Sequence, residues 1–161
     1  MSIRFLSRSE WHLLRDVRLV ALRESPTAYL SSYETEARFE DGTWHQEVGH
    51  GVWLVFVSES DAVLAVLGAT TAPDIAASDR YLSYLWVAPD ARRTGIATRL
   101  ISEMLRHLRT TGVARAWLWV LDGNDAACSL YRKLGFVSTG LRQPLRKDPT
   151  RYEERFIRVL S

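Results

Sequence analysis

Arg92-Arg93-Thr94-Gly95-Ile96-Ala97 sits between a strand-like run, Tyr81 to Val87, and an amphipathic stretch that continues to about Arg109. A glycine-bearing turn that opens a helix offers unpaired backbone N–H groups and the positive end of the helix dipole, a setting suited to phosphate or pyrophosphate. The two arginines just before the glycine add positive charge there. Neither G-x-x-x-x-G-K-S/T nor G-x-G-x-x-G is present, which argues against a P-loop NTPase and against a dinucleotide-binding enzyme.

Downstream of the turn, Ile96, Leu100, Ile101, Met104, Leu105 and Leu108 form one helical stripe, and Gly112 lies just past its end. The expected order from Tyr81 onward is strand, helix (Gly95 to Arg109), strand (Ala114 to Leu121), helix (Asn124 to Leu134) and strand (Phe136 to Leu141). That alternation predicts a parallel strand pair joined by a right-handed crossover. Asn124 is a suitable N-cap, Ala127, Leu130, Tyr131 and Leu134 share a helical face, and Gly135 reads as a left-handed stop. Arg151 to Leu160 reads as a last strand, after a loop holding Pro144 and Pro149.

Upstream, Ile3 to Leu6 reads as a short strand, and Ser7-x-x-Glu10 is a capping box ahead of a helix whose buried face is Trp11, Leu14, Val17 and Ala21. Ser25-Pro26 stops it. Ser31-x-x-Glu34 predicts a second, more polar helix, and Gly42 with Thr43-x-x-Gln46 predicts a break and a short turn. Val52 to Val57 is continuously apolar, as in a strand covered on both faces, and Val63 to Thr71 is expected to return antiparallel after the turn Ser58 to Ala62. Ala72 to Asp79 reads as a loop.

With 161 residues, 47% of them hydrophobic, the chain suits one globular domain with a sizeable core. A net charge of +2 is too small for a protein that coats nucleic acid, although all of the 21 basic residues except Lys133 and Lys147 are arginine. The single Cys128 excludes an intrachain disulfide and a thiolate-rich metal site, and nothing near it in sequence marks it as an activated nucleophile. His12, His45, His50 and His107 show no H-x-x-x-H or H-E-x-x-H pairing, so no metal site is expected. No window approaches the roughly 20 apolar residues of a spanning helix, and the expectation is a soluble cytoplasmic protein with no membrane partner.

Two blocks carry a family resemblance. Leu85-Trp86-Val87-Ala88-Pro89 followed by Arg92-Arg93-Thr94-Gly95-Ile96-Ala97 resembles the fourth strand and the R/Q-x-x-G-x-G/A phosphate loop of the GCN5-related N-acetyltransferases (GNAT). Asn124, Ala127, Leu130-Tyr131, Lys133, Gly135 and Phe136 resemble the second block of that family, N-x-x-A-x-x-L-Y-x-K-x-G-F. The resemblance covers Tyr81 to Phe136. It implies one α/β domain over residues 1–161, with a mixed, mostly antiparallel central sheet of about six or seven strands, flanking helices and one splayed parallel pair. It also implies acetyl-CoA as cofactor, with coenzyme A as product.

Carried over by position, the resemblance implies that Leu85, Trp86 and Val87 meet pantetheine through their backbone, as if the cofactor were an added strand. The pyrophosphate would then rest on the N–H groups of Arg93, Thr94, Gly95, Ile96, Ala97 and Thr98 beside Arg92, with Asn124, Ala127 and Tyr131 completing the cofactor site. Tyr131 stands where the family keeps its general acid, a phenol that gives a proton to the departing thiolate. Many relatives place a carboxylate on the fourth strand as base. This strand offers Tyr81, Ser83 and Tyr84 instead. Glu34, Glu36, Glu153 and Glu154 are the other carboxylates considered, and none is assigned.

By the same resemblance Leu22 to Glu36 forms part of the acceptor wall, with Tyr29, Tyr33, Glu34 and Tyr84 as the expected acceptor-binding residues. The leading expectation is direct transfer of an acetyl group to a primary amine of a small molecule in a ternary complex. The alternatives are a protein N-terminus or lysine, an aminoacyl-tRNA, or an acyl-CoA sensor that does not turn its ligand over. Nucleic acid is the less expected partner because the basic residues are scattered in sequence, and a homodimer is left open.

Overall fold

The computed structural model describes residues 1–160. The N-terminal strand β1 (Ser2–Phe5) is followed by a 3-10 turn at Arg8–Glu10 and helix α1 (Trp11–Glu24). The expected capping box is present, with the Ser7 amide donating to Glu10 at 3.0 Å. α1 stops at Ser25, whose amide still reaches the Ala21 carbonyl, and Pro26 prevents further winding. The next two helices differ from expectation. α2 (Tyr33–Glu36) is capped by Ser32, whose hydroxyl accepts from the Thr35 amide at 3.2 Å, so the helix starts one residue later than Ser31 would place it. α3 (Asp41–Gly49) absorbs Gly42 and Thr43 into its first turn instead of breaking there, because Trp44 and Val48 bury one face of it.

The remaining elements alternate as expected: β2 (Gly51–Val57), β3 (Val63–Thr70), β4 (Asp79–Val87), α4 (Ile96–Thr110), β5 (Arg115–Leu121), α5 (Asp125–Lys133), β6 (Val137–Pro144) and β7 (Tyr152–Val159). They form a seven-stranded sheet in the order β1-β2-β3-β4-β5-β7-β6. Every neighbouring pair is antiparallel except β4 and β5. β6 runs to Pro144, three residues past the expected end, because Arg142, Gln143 and Pro144 pair with Glu154, Glu153 and Tyr152.

Each sheet face carries its own apolar layer. On one, the α4 stripe of Leu100, Ile101, Met104, Leu105 and Leu108 packs on Leu54, Phe56, Leu67, Leu118 and Phe156. On the other, Leu14, Val17, Ala21 and Val48 from α1 and α3 cover Trp53, Val55, Val66 and Trp86. The sheet is thus buried on both sides over β2 and β3, which explains the unbroken apolar run of β2.

Two irregularities open the sheet at its centre. The parallel pairing is confined to Asp79–Tyr81 of β4 against Arg115–Trp117 of β5, after which the strands part. On the opposite edge of β4 the register with β3 slips, with Val66 facing Trp86 but Gly68 facing Ser83. Tyr84 takes up the extra residue with φ 61, a conformation costly for a bulky side chain. Gly68 has no alternative at this point, since a Cβ there would lie 2.3 Å from the Trp53 ring, which packs 5.0 Å from Tyr84.

Candidate active site

The gap between the parting strands is a cleft of about 270 Å³ lined by Leu82, Ser83, Tyr84 and Leu85 of β4, Leu118 to Leu121 of β5, and Asn124, Ala127 and Tyr131 of the α5 segment. Ala28 and Tyr29 close one side of it. A larger cavity of about 620 Å³ adjoins it, and the two share Ala28, Tyr29, Leu82, Ser83, Tyr84 and Trp119. The β4 bulge therefore presents consecutive residues to both spaces, which regular strand alternation would not do.

Beyond the C-terminal end of β4, the amides of Arg93 through Thr98 find no acceptor among the described residues. The amide before them goes to Pro89 and the amide after them, from Arg99, goes to Gly95. Gly95 permits this run through φ 83, and nothing lies within 4 Å of where its Cβ would stand. Arg93, at φ 62, has a strained backbone and an exposed side chain. An open row of amide donors at the start of a fifteen-residue helix fits a pyrophosphate.

Arg92 is occupied differently. Its guanidinium donates to the Val87 carbonyl at 2.9 Å and pairs with Glu24 at 2.7 Å. Glu24 also accepts from the Trp86 indole at 3.0 Å and from the Ser25 hydroxyl. The Ser25 and Trp86 hydrogen bonds, with the Arg92 pair behind them, hold the Glu24 carboxyl down at about 2. The end of α1 is thereby tied to the turn. Trp86 turns its side chain into the core away from the cleft, and Ile96 is likewise buried, so neither offers the cleft more than its backbone.

Tyr131 lines the cleft, packed edge-on against Phe136 at 5.8 Å. Burial, reinforced by the neighbouring Tyr29 and Cys128, pushes its phenol up to about 12, so it remains protonated at neutral pH. Asn124 caps α5 through its side-chain oxygen, which accepts from Ala127 at 3.2 Å. Tyr29 donates to the Leu85 carbonyl at 3.2 Å, and burial pushes its own phenol up to about 12. Lys147 and Arg151 hold the loop that carries Tyr29, donating to the carbonyls of Pro26 and Thr27 at 3.1 Å each.

The larger cavity was only partly foreseen. Tyr29 and Tyr84 line it, but Tyr33 lies outside, stacked under the Arg23 guanidinium at 4.1 Å, and Glu34 is exposed. The late start of α2 causes this, since it turns Glu36 rather than Glu34 inward. Glu36 is 2% exposed and forms a double hydrogen bond with Arg18 at 3.0 and 3.1 Å. Arg18 in turn lies over the rings of Tyr84 at 3.9 Å and Tyr29 at 4.7 Å. Arg18 and Glu47 were not singled out in the sequence. On α1, Arg18 directly follows the apolar position Val17, and the one available signal was a lone charge at the edge of a core stripe.

Glu47 accepts from the Tyr84 hydroxyl at 3.3 Å, and burial raises the Tyr84 phenol above its ordinary range. Glu153 of β7 also lines the cavity, whereas Glu154 does not. Trp44, Phe39 and Trp119 add aromatic surface. Among the described residues there is no cluster of potential metal ligands, and no helix is long and apolar enough to cross a membrane.

Residues 18–136 match the model of the acetyltransferase (GNAT) family. The chain belongs to that family. A ribosomal protein bS18-alanine N-acetyltransferase of Salmonella typhimurium is 34% identical over 74 residues, covering 46% of this chain and 50% of that relative. The match thus spans about half the length of this curated relative. Among solved structures, a ribosomal-protein-alanine N-acetyltransferase from Brucella melitensis superposes with a TM-score of 0.77 at 20% identity, covering 99% of both chains. Spermidine N-acetyltransferase from Vibrio cholerae, solved with CoA and spermine, gives 0.74 at 16% identity, with 99% of this chain and 95% of that one covered. At these identities the structural likeness is one of fold, and the mixed seven-stranded sheet with its parting β4 and β5 is the GNAT architecture.

Proposed function

We propose that this chain acetylates the α-amino group of a protein N-terminus, using acetyl-CoA held by the amide row from Arg93 to Thr98 and by the cleft between β4 and β5. The observation that carries the proposal is the meeting of two cavities at Ser83, Tyr84 and Trp119, one holding the protonated Tyr131 phenol and the other holding carboxylates. Acetyl-CoA, when bound, supplies the thioester whose acyl carbon the amine attacks.

The residues of the chain supply position and protons. Leu85 and Val87 offer strand-edge backbone, and Asn124 and Ala127 form the far wall. Tyr131 keeps its proton until a thiolate needs it, which suits a general acid. Tyr29 and Tyr84 stand where the two spaces meet and fix the direction from which an amine approaches.

The acceptor expected from the sequence was a small-molecule amine. Similarity in sequence and fold to ribosomal-protein alanine acetyltransferases supports a protein N-terminus instead. The chemistry is consistent with this, because an α-amine has a pKa of roughly 7.7–8.0 against about 10.4 for a lysine and so reaches its neutral form more readily. The cavity also mixes aromatic rings with three carboxylates, Glu36, Glu47 and Glu153, against the single cation Arg18. That lining favours a cationic small amine as the second reading.

A thiol-release assay with acetyl-CoA separates these possibilities. A short peptide with a free N-terminal alanine is expected to turn over, and the same peptide with a blocked N-terminus is not. Turnover of spermidine with none of the free peptide would favour the small-amine reading. Binding of acetyl-CoA without turnover of either would count against both readings and favour an acyl-CoA sensor.

A further inference from the structure

The proposed transfer needs a group to take a proton from the acceptor ammonium, and the fourth strand carries no carboxylate for it. Three carboxylates line the acceptor cavity, and their bonding separates them. Glu36 has both oxygens engaged by Arg18. Glu47 is half-exposed and engaged by the Tyr84 hydroxyl. Glu153 is 6% exposed, and its side chain's hydrogen bond among the described residues is at Oε1, which accepts from the neutral Gln143 amide at 2.7 Å. Glu153 also pairs across the sheet with Leu121, which lines the cleft that holds Tyr131.

We propose that Glu153 is the catalytic base of this chain: a buried carboxylate on β7, steadied at one oxygen by Gln143, that takes the proton from the acceptor amine at its Oε2. This rests on the transfer reading above but not on which amine is the acceptor. Glu153 accepts one proton from the ammonium. The freed nitrogen lone pair forms the C–N bond as the C–S bond breaks, and the thiolate takes the Tyr131 proton. The second proton lost by the nitrogen restores the phenol, and Glu153 releases its own to solvent, so the sum is amide, thiol and one proton.

The charged and titratable groups facing Glu153 across the cavity are Arg18, Glu36, Glu47, Tyr29, Tyr81 and Tyr84. Arg18 is committed to Glu36, and Arg155, two residues along β7, lies over the rings of Trp117 and Trp119 at 4.4 and 5.8 Å, so among the described residues Glu153 forms no ion pair.

The test uses the full chain with acetyl-CoA and the free alanine peptide, or spermidine if the peptide is not accepted. Glu153→Gln is expected to lower kcat by about 10²–10⁴-fold, with acetyl-CoA affinity by calorimetry and acceptor KM little changed. The acidic limb of the rate profile should be replaced by a rate that follows the free-amine fraction. Glu153→Asp should recover part of the loss. Gln143→Glu, on an exposed strand position, places a second carboxylate against Glu153 and should move the acidic limb to higher pH. Unchanged kcat in Glu153→Gln, a change confined to KM, or an unmoved limb in Gln143→Glu would overturn the assignment. A wild-type chain that turns over neither amine would instead defeat the transfer reading itself.

Discussion

On the proposed cofactor side, apart from Ala28 and Tyr29, every residue lining the cleft or contributing to the open amide row comes from Leu82 to Tyr131, within two strand-to-helix units. On the proposed acceptor side, the cavity draws Arg18 from α1, Glu36 from α2, Glu47 from α3, Tyr84 from β4 and Glu153 from β7. The first site is made largely of backbone, fixed by where a glycine permits positive φ and where two strands part. The second is made of side chains that meet only because distant segments pack on one sheet face. The two sides also differ in what a substitution removes: a turn conformation or one proton donor in the first, a shared electrostatic network in the second.

The sharpest way to break this contrast is at the proton donor of the first site. Tyr131→Phe keeps the ring packed on Phe136 and deletes the proton, so turnover should fall about 10²–10⁴-fold while acetyl-CoA affinity holds. Steady-state rates with a calorimetric binding control measure this, and a wild-type rate where chemistry limits would make Tyr131 a packing residue. Next in size is the acceptor network. Arg18→Ala leaves Glu36 buried and unpaired, a loss of about 3–5 kcal/mol in stability read by denaturant unfolding. Replacing both partners by apolar residues of similar volume should recover much of it, whereas equal losses in the single and double variants would mean the pair itself stabilises the fold.

These expectations also show what could be read from the sequence. The amide row, the Asn124 cap and the position of Tyr131 were legible because each is local: a left-handed glycine, a capping side chain three residues before the amide it accepts from, a phenol on a short amphipathic helix. The parallel pairing of β4 and β5 followed from the strand-helix-strand order, while their parting was what the family resemblance implied. The Arg18–Glu36 pair was not legible, since eighteen residues and a loop separate its members. Tyr33 and Glu34 were misplaced by a one-residue difference in where α2 begins, which on a helix rotates a different side chain inward. Trp86 and Arg92 lay in the right segment, but their side chains serve Glu24, a connection across 62 and 68 residues.

That connection gives a smaller, pH-dependent effect. Glu24 is held at about 2 by Ser25, Trp86 and Arg92, and Glu10 at about 2 chiefly by its hydrogen bond with Arg4. Their stabilisation is complete above the ordinary carboxylate range near 4.5 and is lost progressively as pH falls from there towards 2. Thermal unfolding across that window should show a steeper decline in the wild type than in Glu24→Gln. Parallel declines would show that Glu24 contributes nothing to the link between α1 and the turn.

The contrast between a local cofactor site and an assembled acceptor site is tested most directly by titrating acetyl-CoA calorimetrically into Gly95→Val and Glu47→Gln. A β-branched residue at φ 83 carries a strain of about 1–3 kcal/mol. The turn escapes that strain by giving up its amide row, so affinity should fall about tenfold or more. Glu47→Gln changes a residue outside the cleft and should leave the affinity within about twofold of wild type, well under the 1.4 kcal/mol that a tenfold change represents. Wild-type affinity in a folded Gly95→Val protein, or an equal loss in both variants, would contradict a cofactor site that is built locally at the turn.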